Sequence, residues 1–363
     1  MVALATVVLL GCSGPHDTTH PTADNYRWNL PQGFPKPRVP ADNPMSEPKV
    51  QLGRYLFYDT RLSVNQSQSC ASCHRQELAF TDGRANAIGA TGEVHPRSAM
   101  SLVNVAYNGV LTWSDPNLLL LEQQVLVPMF SEHPVELGLR GHQEFLLREL
   151  RNDEVYRDTF PSAFPESRDP FTIANIGRAL AAFDRSILSA RSPYDRYYFG
   201  DDTQAISEAA KRGEGVFFTE GVGTCFRCHG GFNFSDTTVY EHSAAARFEY
   251  HNTGLYNLSG RFTYPEPNLG LYLHTHDLAD VGKFKAPSLR NIALTAPYMH
   301  NGSVATLEEA IQHYASGGRA NPNQDPRLKQ INLTPQNRQD LLAFLHSLTD
   351  AEVIRDPRFS NPW

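Results

Sequence analysis

Two short strings hold most of the chemistry in this chain: Cys70-Ala71-Ser72-Cys73-His74 and Cys225-Phe226-Arg227-Cys228-His229. Two thiols three positions apart can each bond to a vinyl group on one porphyrin edge. The histidine that follows at once reaches the iron from the same side, so the pattern reads as covalent c-type haem attachment. A thioredoxin-like dithiol has no need of that histidine. A zinc site made of four cysteines would have to gather two distant pairs and leave both histidines idle. The expected cofactors are two covalently attached c-type haems, with His74 and His229 as proximal iron ligands. What occupies the far face of each iron then decides function: two saturated irons make an electron carrier, whereas one open iron binds peroxide.

The chain that must position these strings has 363 residues, 40% of them hydrophobic and 20% charged, which suits two or three modest cores better than one large one. Its 25 glycines and 25 prolines imply many fixed turns and long irregular segments. A formal charge of -7 gives no electrostatic reason to expect nucleic-acid binding. Four of the five cysteines belong to the two strings, so no pair remains for a structural disulfide. Residues 1–11 are almost wholly apolar, too few to span a bilayer but suited to the core of a secretory signal. Leu9-Leu10-Gly11-Cys12 fits a lipoprotein processing site. The expectation is export to the periplasm, with a possible lipid anchor on Cys12 holding the protein at the outer membrane.

Residues 1–12 therefore read as a signal or lipoprotein segment and 13–45 as a Pro-rich arm. Val50, Leu52, Leu56 and Phe57 share one side of a short helix, and Gly53 lets another helix approach closely. Arg212-Gly213-Glu214-Gly215-Val216-Phe217-Phe218 echoes this helix just before the second Cys-x-x-Cys-His string. The repeat suggests two cytochrome c-like haem domains, 46–195 and 196–350, followed by a C-terminal tail at 351–363. Between the strings, Ile173, Ile176, Leu180, Phe183 and Ile187 recur at helical spacing. Thr306-Leu307-Glu308-Glu309 is a capping box, and Thr334-Pro335 opens a last helix with Leu341, Leu345 and Leu348 facing inward. The expected fold class is mainly α, two cytochrome c-like haem domains with long irregular connections.

At this point the sequence resembles the MauG and bacterial di-haem cytochrome c peroxidase family, over roughly residues 45–350. The likeness rests on both haem strings, Leu56-Phe57-Tyr58-Asp59, Trp113, His251-Asn252-Thr253-Gly254 and the stretch from Pro287-Ser288-Leu289-Arg290-Asn291 to Tyr298-Met299-His300-Asn301-Gly302. Within the family it is similar to the MbnH branch, whose partner is the copper-binding protein MbnP. Tyr26-Arg27-Trp28-Asn29-Leu30-Pro31 and Gly92-Glu93-Val94-His95-Pro96-Arg97 carry that likeness.

The resemblance implies a peroxidatic first domain and a second domain with a tyrosine-ligated haem. Its sixth ligand falls on Tyr314, where conventional peroxidases have methionine. Leu307, Ile311 and Tyr314 stand at i, i+4 and i+7, so Tyr314 shares the inward helical face; His313 and Met299 are the alternative ligands. At the first haem the resemblance implies a distal Gln124 (or adjacent Gln123), an acidic Glu136 and a distal-wall Pro128. It makes Trp113 the relay between the haems. It also implies calcium on the carbonyls of Thr295 and Pro297, although Ser98 replaces the usual asparagine. His95 is either a loop anchor or a group approaching the first haem. One departure stands out: MauG has a surface tryptophan six positions before the second haem histidine, and this chain has Gly223.

The implied activity is oxidation driven by hydrogen peroxide, with electrons drawn over long range from a protein partner. An MbnP-like copper-binding protein, its tryptophan converted to kynurenine, is the leading substrate. The alternatives are a peroxidase fed by a small cytochrome or cupredoxin, and a non-catalytic electron-transfer cytochrome with both irons fully ligated.

Overall fold

The computed structural model describes residues 26–219, 221–244, 248–260 and 262–363. The expected signal segment, Cys12 and the first part of the arm lie outside the described residues. In chain order the helices are α1 (Glu47–Tyr58), α2 (Cys70–Cys73), α3 (Leu121–Gln124), α4 (Leu126–Phe130), α5 (Gln143–Asn152) and α6 (Glu154–Ala163). There follow α7 (Ile173–Ser186), α8 (Pro193–Phe199), α9 (Glu208–Phe218), α10 (Tyr272–Thr275), α11 (Leu307–Ala315) and α12 (Pro335–Ser347). Among the described residues there is no β-sheet, only isolated bridges such as His251 with Phe284. The fold is mainly α with irregular connections, as the sequence implies. No described helix is long and apolar enough to cross a membrane.

One core forms where α1 crosses α7. Ser46 caps α1 by accepting from the Lys49 amide, and Thr172 caps α7 by accepting from that of Asn175. Leu52, Leu56 and Phe57 of α1 are buried in one cluster with Ile176, Leu180 and Phe183 of α7. Gly53 sits at the crossing, where a Cβ would run into the Ala179 carbonyl and the Phe183 side chain. A second core repeats the device. There α9 crosses α12, burying Phe217 with Leu341, Phe344 and Leu345. A Cβ on Gly213 would meet the Asp340 carbonyl, and Arg212 pairs with the Asp340 carboxylate at 2.8 Å.

A further echo escapes a reading by hydrophobic spacing. Ser101-Leu102-Val103-Asn104-Val105-Ala106 and Ser288-Leu289-Arg290-Asn291-Ile292-Ala293 each place an asparagine in the left-handed region, φ 58° and 59°, before a 3-10 turn. Both asparagines are fully buried. The Asn104 amide donates to the Ser189 carbonyl at 3.0 Å, and the Asn291 amide donates to the Ser189 hydroxyl at 3.0 Å. Ser189 thus lies between the two echoes.

Neither end of the described chain hangs free. Phe34 of the arm packs edge-on against Tyr107 and Phe232. The segment expected as a tail folds back on the α1–α7 core: Val353 and Phe359 are buried in it, and the Tyr58 hydroxyl donates to the Phe359 carbonyl at 2.7 Å.

The two glycine crossings yield a stability test. Gly213→Ala should lower the unfolding free energy by about 1–3 kcal/mol, because overpacking forces the helices apart. Gly215→Ala, two residues along the same helix with nothing within 4 Å of its Cβ, should be neutral or raise stability by about 1 kcal/mol. Denaturant unfolding of the haem-loaded protein reads both; equal effects would contradict the close-crossing account.

Candidate di-haem active site

Helix α2 carries Cys70 and Cys73 into a cleft of about 760 Å³, counted to its mouth. A capping box between Ser69 and Ser72 fixes the start of this short helix. His74 ends it, and its Nδ1 lies 2.9 Å from the Phe80 carbonyl. Phe80 is held at φ 59°, a left-handed conformation that costs a bulky residue on the order of 1–3 kcal/mol. Burial lowers the pKa of His74, so the ring is neutral. With the Nδ1 proton donated to a carbonyl, the Nε2 lone pair is free to ligate a metal.

Gln124, Pro128 and Glu136 line the same cleft. The Gln124 Oε1 is buried without a hydrogen-bond partner. Burial pushes the Glu136 carboxyl up to about 7. His95 also lines the cleft, its Nε2 4.0 Å from a Glu136 oxygen while its Nδ1 accepts from the Arg97 amide. It is both a loop anchor and a neighbour of the acid. Asp184 is a functional candidate that motif reading missed. It is buried on α7, lines the cleft, has an unpartnered Oδ1 and is pushed by burial up to about 7. The available signal was an aspartate four residues after Leu180, on a helical face otherwise apolar.

The second site is larger, about 1550 Å³ to its mouth. Cys225, Cys228, His229 and Tyr314 line it, with Trp113 and Met299. The His229 Nδ1 lies 3.0 Å from the Pro287 carbonyl and 3.2 Å from that of Phe234. Phe234, at φ 52°, repeats the left-handed phenylalanine of the first site. Tyr314 is carried by α11, which the expected capping box of Thr306 and Glu309 starts. Burial raises its phenol pKa, so a cation at the ring oxygen is needed to draw off the proton. His313 is turned away, its Nε2 2.9 Å from the Thr253 carbonyl. Of the three candidate ligands, Tyr314 and Met299 face the cavity.

Both cavities fit a porphyrin. Each combines two cysteines, a half-buried neutral histidine and largely apolar walls with polar atoms that nothing in the protein satisfies. In the second these are Lys285 Nζ and His300 Nε2. Burial pulls the Lys285 ammonium down to about 8 and His300 down to about 3. An unpartnered buried ammonium is costly alone and suits a ligand bearing carboxylates. When bound, the haem irons supply the redox chemistry and the site at which peroxide oxygen is activated.

Residues 47–203 match the di-haem cytochrome c peroxidase family of the MauG type, and residues 283–315 match a RoxA-like, cytochrome c-like family. The cytochrome-c peroxidase IdrP1 of Denitromonas iodatirespirans is 34% identical over 349 residues, covering 90% of this chain and 88% of its own. The methylamine utilization protein MauG of Methylophilus methylotrophus is 32% identical over 332 residues, covering 89% of this chain and 91% of its own. The chain belongs to the MauG and di-haem cytochrome c peroxidase family. A MauG-like protein associated with microbial copper homeostasis matches with a TM-score of 0.90 and 47% identity, over 93% of this chain and 99% of that one. The di-haem peroxidase BthA of Burkholderia thailandensis shares the fold, with a TM-score of 0.67 at 23% identity over 90% and 92% of the two chains. This family member is a peroxide-dependent oxidoreductase that works by long-range electron transfer.

Between the sites, Trp113 lines the second cavity and not the first. Its indole N–H donates to the Ser98 carbonyl at 3.1 Å, in the segment that also carries His95 into the first cleft. His251 bridges two carboxylates, Asp236 at 2.6 Å and Asp325 at 2.7 Å, and they raise its pKa to about 11 against the opposing effect of burial. Cys228, Asp236 and His251 form the one described group of such side chains close enough to hold a metal, but thioether formation removes the Cys228 sulfur. At the expected calcium position, Ser98 donates its hydroxyl to the Met299 carbonyl at 3.2 Å. Thr295 and Pro297 offer neutral carbonyls, so a hard cation there would draw most of its oxygens from water.

The attachment chemistry predicts a simple count. Replacing Cys225 and Cys228 by alanine should leave one covalent haem per chain, read by intact mass and by haem absorbance after denaturation. Two retained haems would contradict the assignment of the second string.

Proposed function

We propose that the protein uses hydrogen peroxide at the first haem, in domain 46–195, and stores oxidising power at a Tyr314-ligated haem in domain 196–350. A protein partner is then oxidised at a distance. The observation that carries this reading is the contrast between the cavities. Gln124 and Glu136 bring unsatisfied and proton-active groups to one, while the Tyr314 phenol faces the other.

In this reading Glu136 acts as a carboxylate that takes a proton from hydrogen peroxide and returns it to the departing oxygen. The Gln124 amide orients the peroxide, and Pro128 restricts the space without contributing a proton. Trp113 couples the sites through its indole. The MauG-like neighbour associated with copper homeostasis supports an MbnP-like copper-binding partner whose tryptophan becomes kynurenine. Periplasmic location, lipidation of Cys12 and a weak calcium site at Thr295 and Pro297 belong to the same proposal. Met299 in the second cavity favours a second reading, a peroxidase fed by a small cytochrome or cupredoxin, in which the donor emerges chemically intact.

Because Glu136 begins as the carboxylate, the rate of reaction with peroxide should rise as pH climbs through about 7 and level off above it. Glu136→Gln should remove that limb and slow the reaction by about 10²–10⁴. A wild-type profile flat across this range would contradict the role. Tyr314→Met should raise the reduction potential of the second haem, because a thioether favours ferrous iron where a phenolate favours ferric; a redox titration reads the sign. For the partner, incubation with peroxide and an MbnP-like protein should give the tryptophan-to-kynurenine mass change. An unchanged partner mass, with the complex formed and the haems intact, rules that substrate out.

A further inference from the structure

With glycine at position 223, oxidising power stored at the second haem needs another way to the surface. We propose that Tyr194 and Tyr198 of α8 form a two-step electron route between the second haem cavity and solvent, with Glu214 holding the phenolic proton of Tyr194. The route rests on the reading of the second haem as the store of oxidising equivalents.

The inner end of the route abuts the proximal side of that cavity. Phe217 lines the cavity, and the Phe234 carbonyl lies near the His229 Nδ1. The Tyr194 ring lies 5.6 Å from Phe234 and 5.3 Å from Phe344, centroid to centroid, and is 5% exposed. One helical turn on, Tyr198 stacks on Tyr194 at 5.7 Å and 20° and is 60% exposed. The i, i+4 spacing puts one ring inside and its neighbour in water.

The proton selects Tyr194 from the other buried tyrosines. A phenol that loses an electron becomes a strong acid, so oxidation is favoured only where a base receives its proton. The Tyr194 hydroxyl donates to a Glu214 carboxylate oxygen at 2.8 Å. Tyr107 and Tyr298 donate instead to backbone carbonyls and Tyr264 to the Asn252 amide oxygen, none of which can take up a proton. Tyr156 does face a carboxylate, Asp59, but that group is already paired with Arg61 at 2.7 Å and lies in the first core.

In each pass one electron leaves Tyr194 for the second haem and its O–H proton moves to Glu214. Tyr198 then gives one electron to the Tyr194 radical, which recovers its proton from Glu214, and Tyr198 releases its own proton to solvent. An external donor re-reduces Tyr198 with one electron, and the phenol regains a proton from water. Two passes supply the two electrons that, with two protons, reduce one hydrogen peroxide to two waters.

The test uses the ferric di-haem holoprotein, hydrogen peroxide and reduced mitochondrial cytochrome c as donor. Freeze-quenched samples are read by electron paramagnetic resonance, with ring-deuterated tyrosine to assign any tyrosyl signal. Wild type should give a tyrosyl radical that narrows on deuteration. Tyr194→Phe, which keeps the ring but not the acid proton, should abolish the signal and slow donor oxidation by about tenfold or more. Glu214→Gln should slow donor oxidation similarly, and Tyr198→Phe should lengthen the radical's life. The haem absorption bands of the same samples report the primary reaction separately. If they respond to peroxide and Tyr194→Phe matches wild type in radical yield and donor rate, the route is overturned and the peroxide reading stands. If the wild-type bands never respond, both fall.

Discussion

A neutral imidazole offers a metal one lone pair, and only if its other nitrogen keeps the proton in a fixed direction. In both halves of this protein backbone carbonyls do that work, and in both a phenylalanine forced into left-handed geometry supplies one: Phe80 for His74, and Phe234 together with Pro287 for His229. The strain of those two residues must be met by packing. Phe80 and Phe234 are almost fully buried, each in the core built on a glycine crossing. Helix crossing, strained turn and oriented histidine thus form one connected device, present twice.

Around the paired devices the surroundings diverge, and function follows from the divergence. The first cleft holds Glu136 and Asp184, two carboxyls whose protons burial brings near neutrality. The second holds a phenol, an unpartnered lysine and an imidazole kept neutral. One environment holds carboxyls that gain and lose protons near pH 7. The other disfavours proton release until a cation or a carboxylate-bearing ligand arrives. Family membership supplies peroxide as the oxidant. Buried asparagines, with Ser189 between them, link the two turns that follow the haem strings, so the two sites are held by one polar network.

Local chemistry was the legible part of the sequence. Cysteine and histidine spacing, the capping box of α11 and the inward face of Tyr314 all depend on neighbours within a turn or two; the capping box is present at the start of α11, and the cysteines, histidines and Tyr314 line the two cavities. Gly53 was legible for the same reason: an apolar helix face with a missing side chain announces a crossing. Asp184 and Lys285 were not, because a buried charge gains its meaning from segments distant in sequence. The docking of 351–363 was hidden likewise, since its anchors are the Tyr58 hydroxyl and the Gln76 amide, nearly the whole chain away. The His251 bridge joins carboxylates on either side of it, and no periodicity marks such a triad.

The central claim is that the two irons are unequal, one open to an oxygen donor and the other closed by a phenolate. Electron paramagnetic resonance of the ferric holoprotein, before and after one equivalent of hydrogen peroxide, addresses it most directly. The account predicts a high-spin signal from one haem and a separate signal from its partner, with both diminished by peroxide and the partner's altered in Tyr314→Phe. Two low-spin signals that persist unchanged through peroxide addition would contradict it.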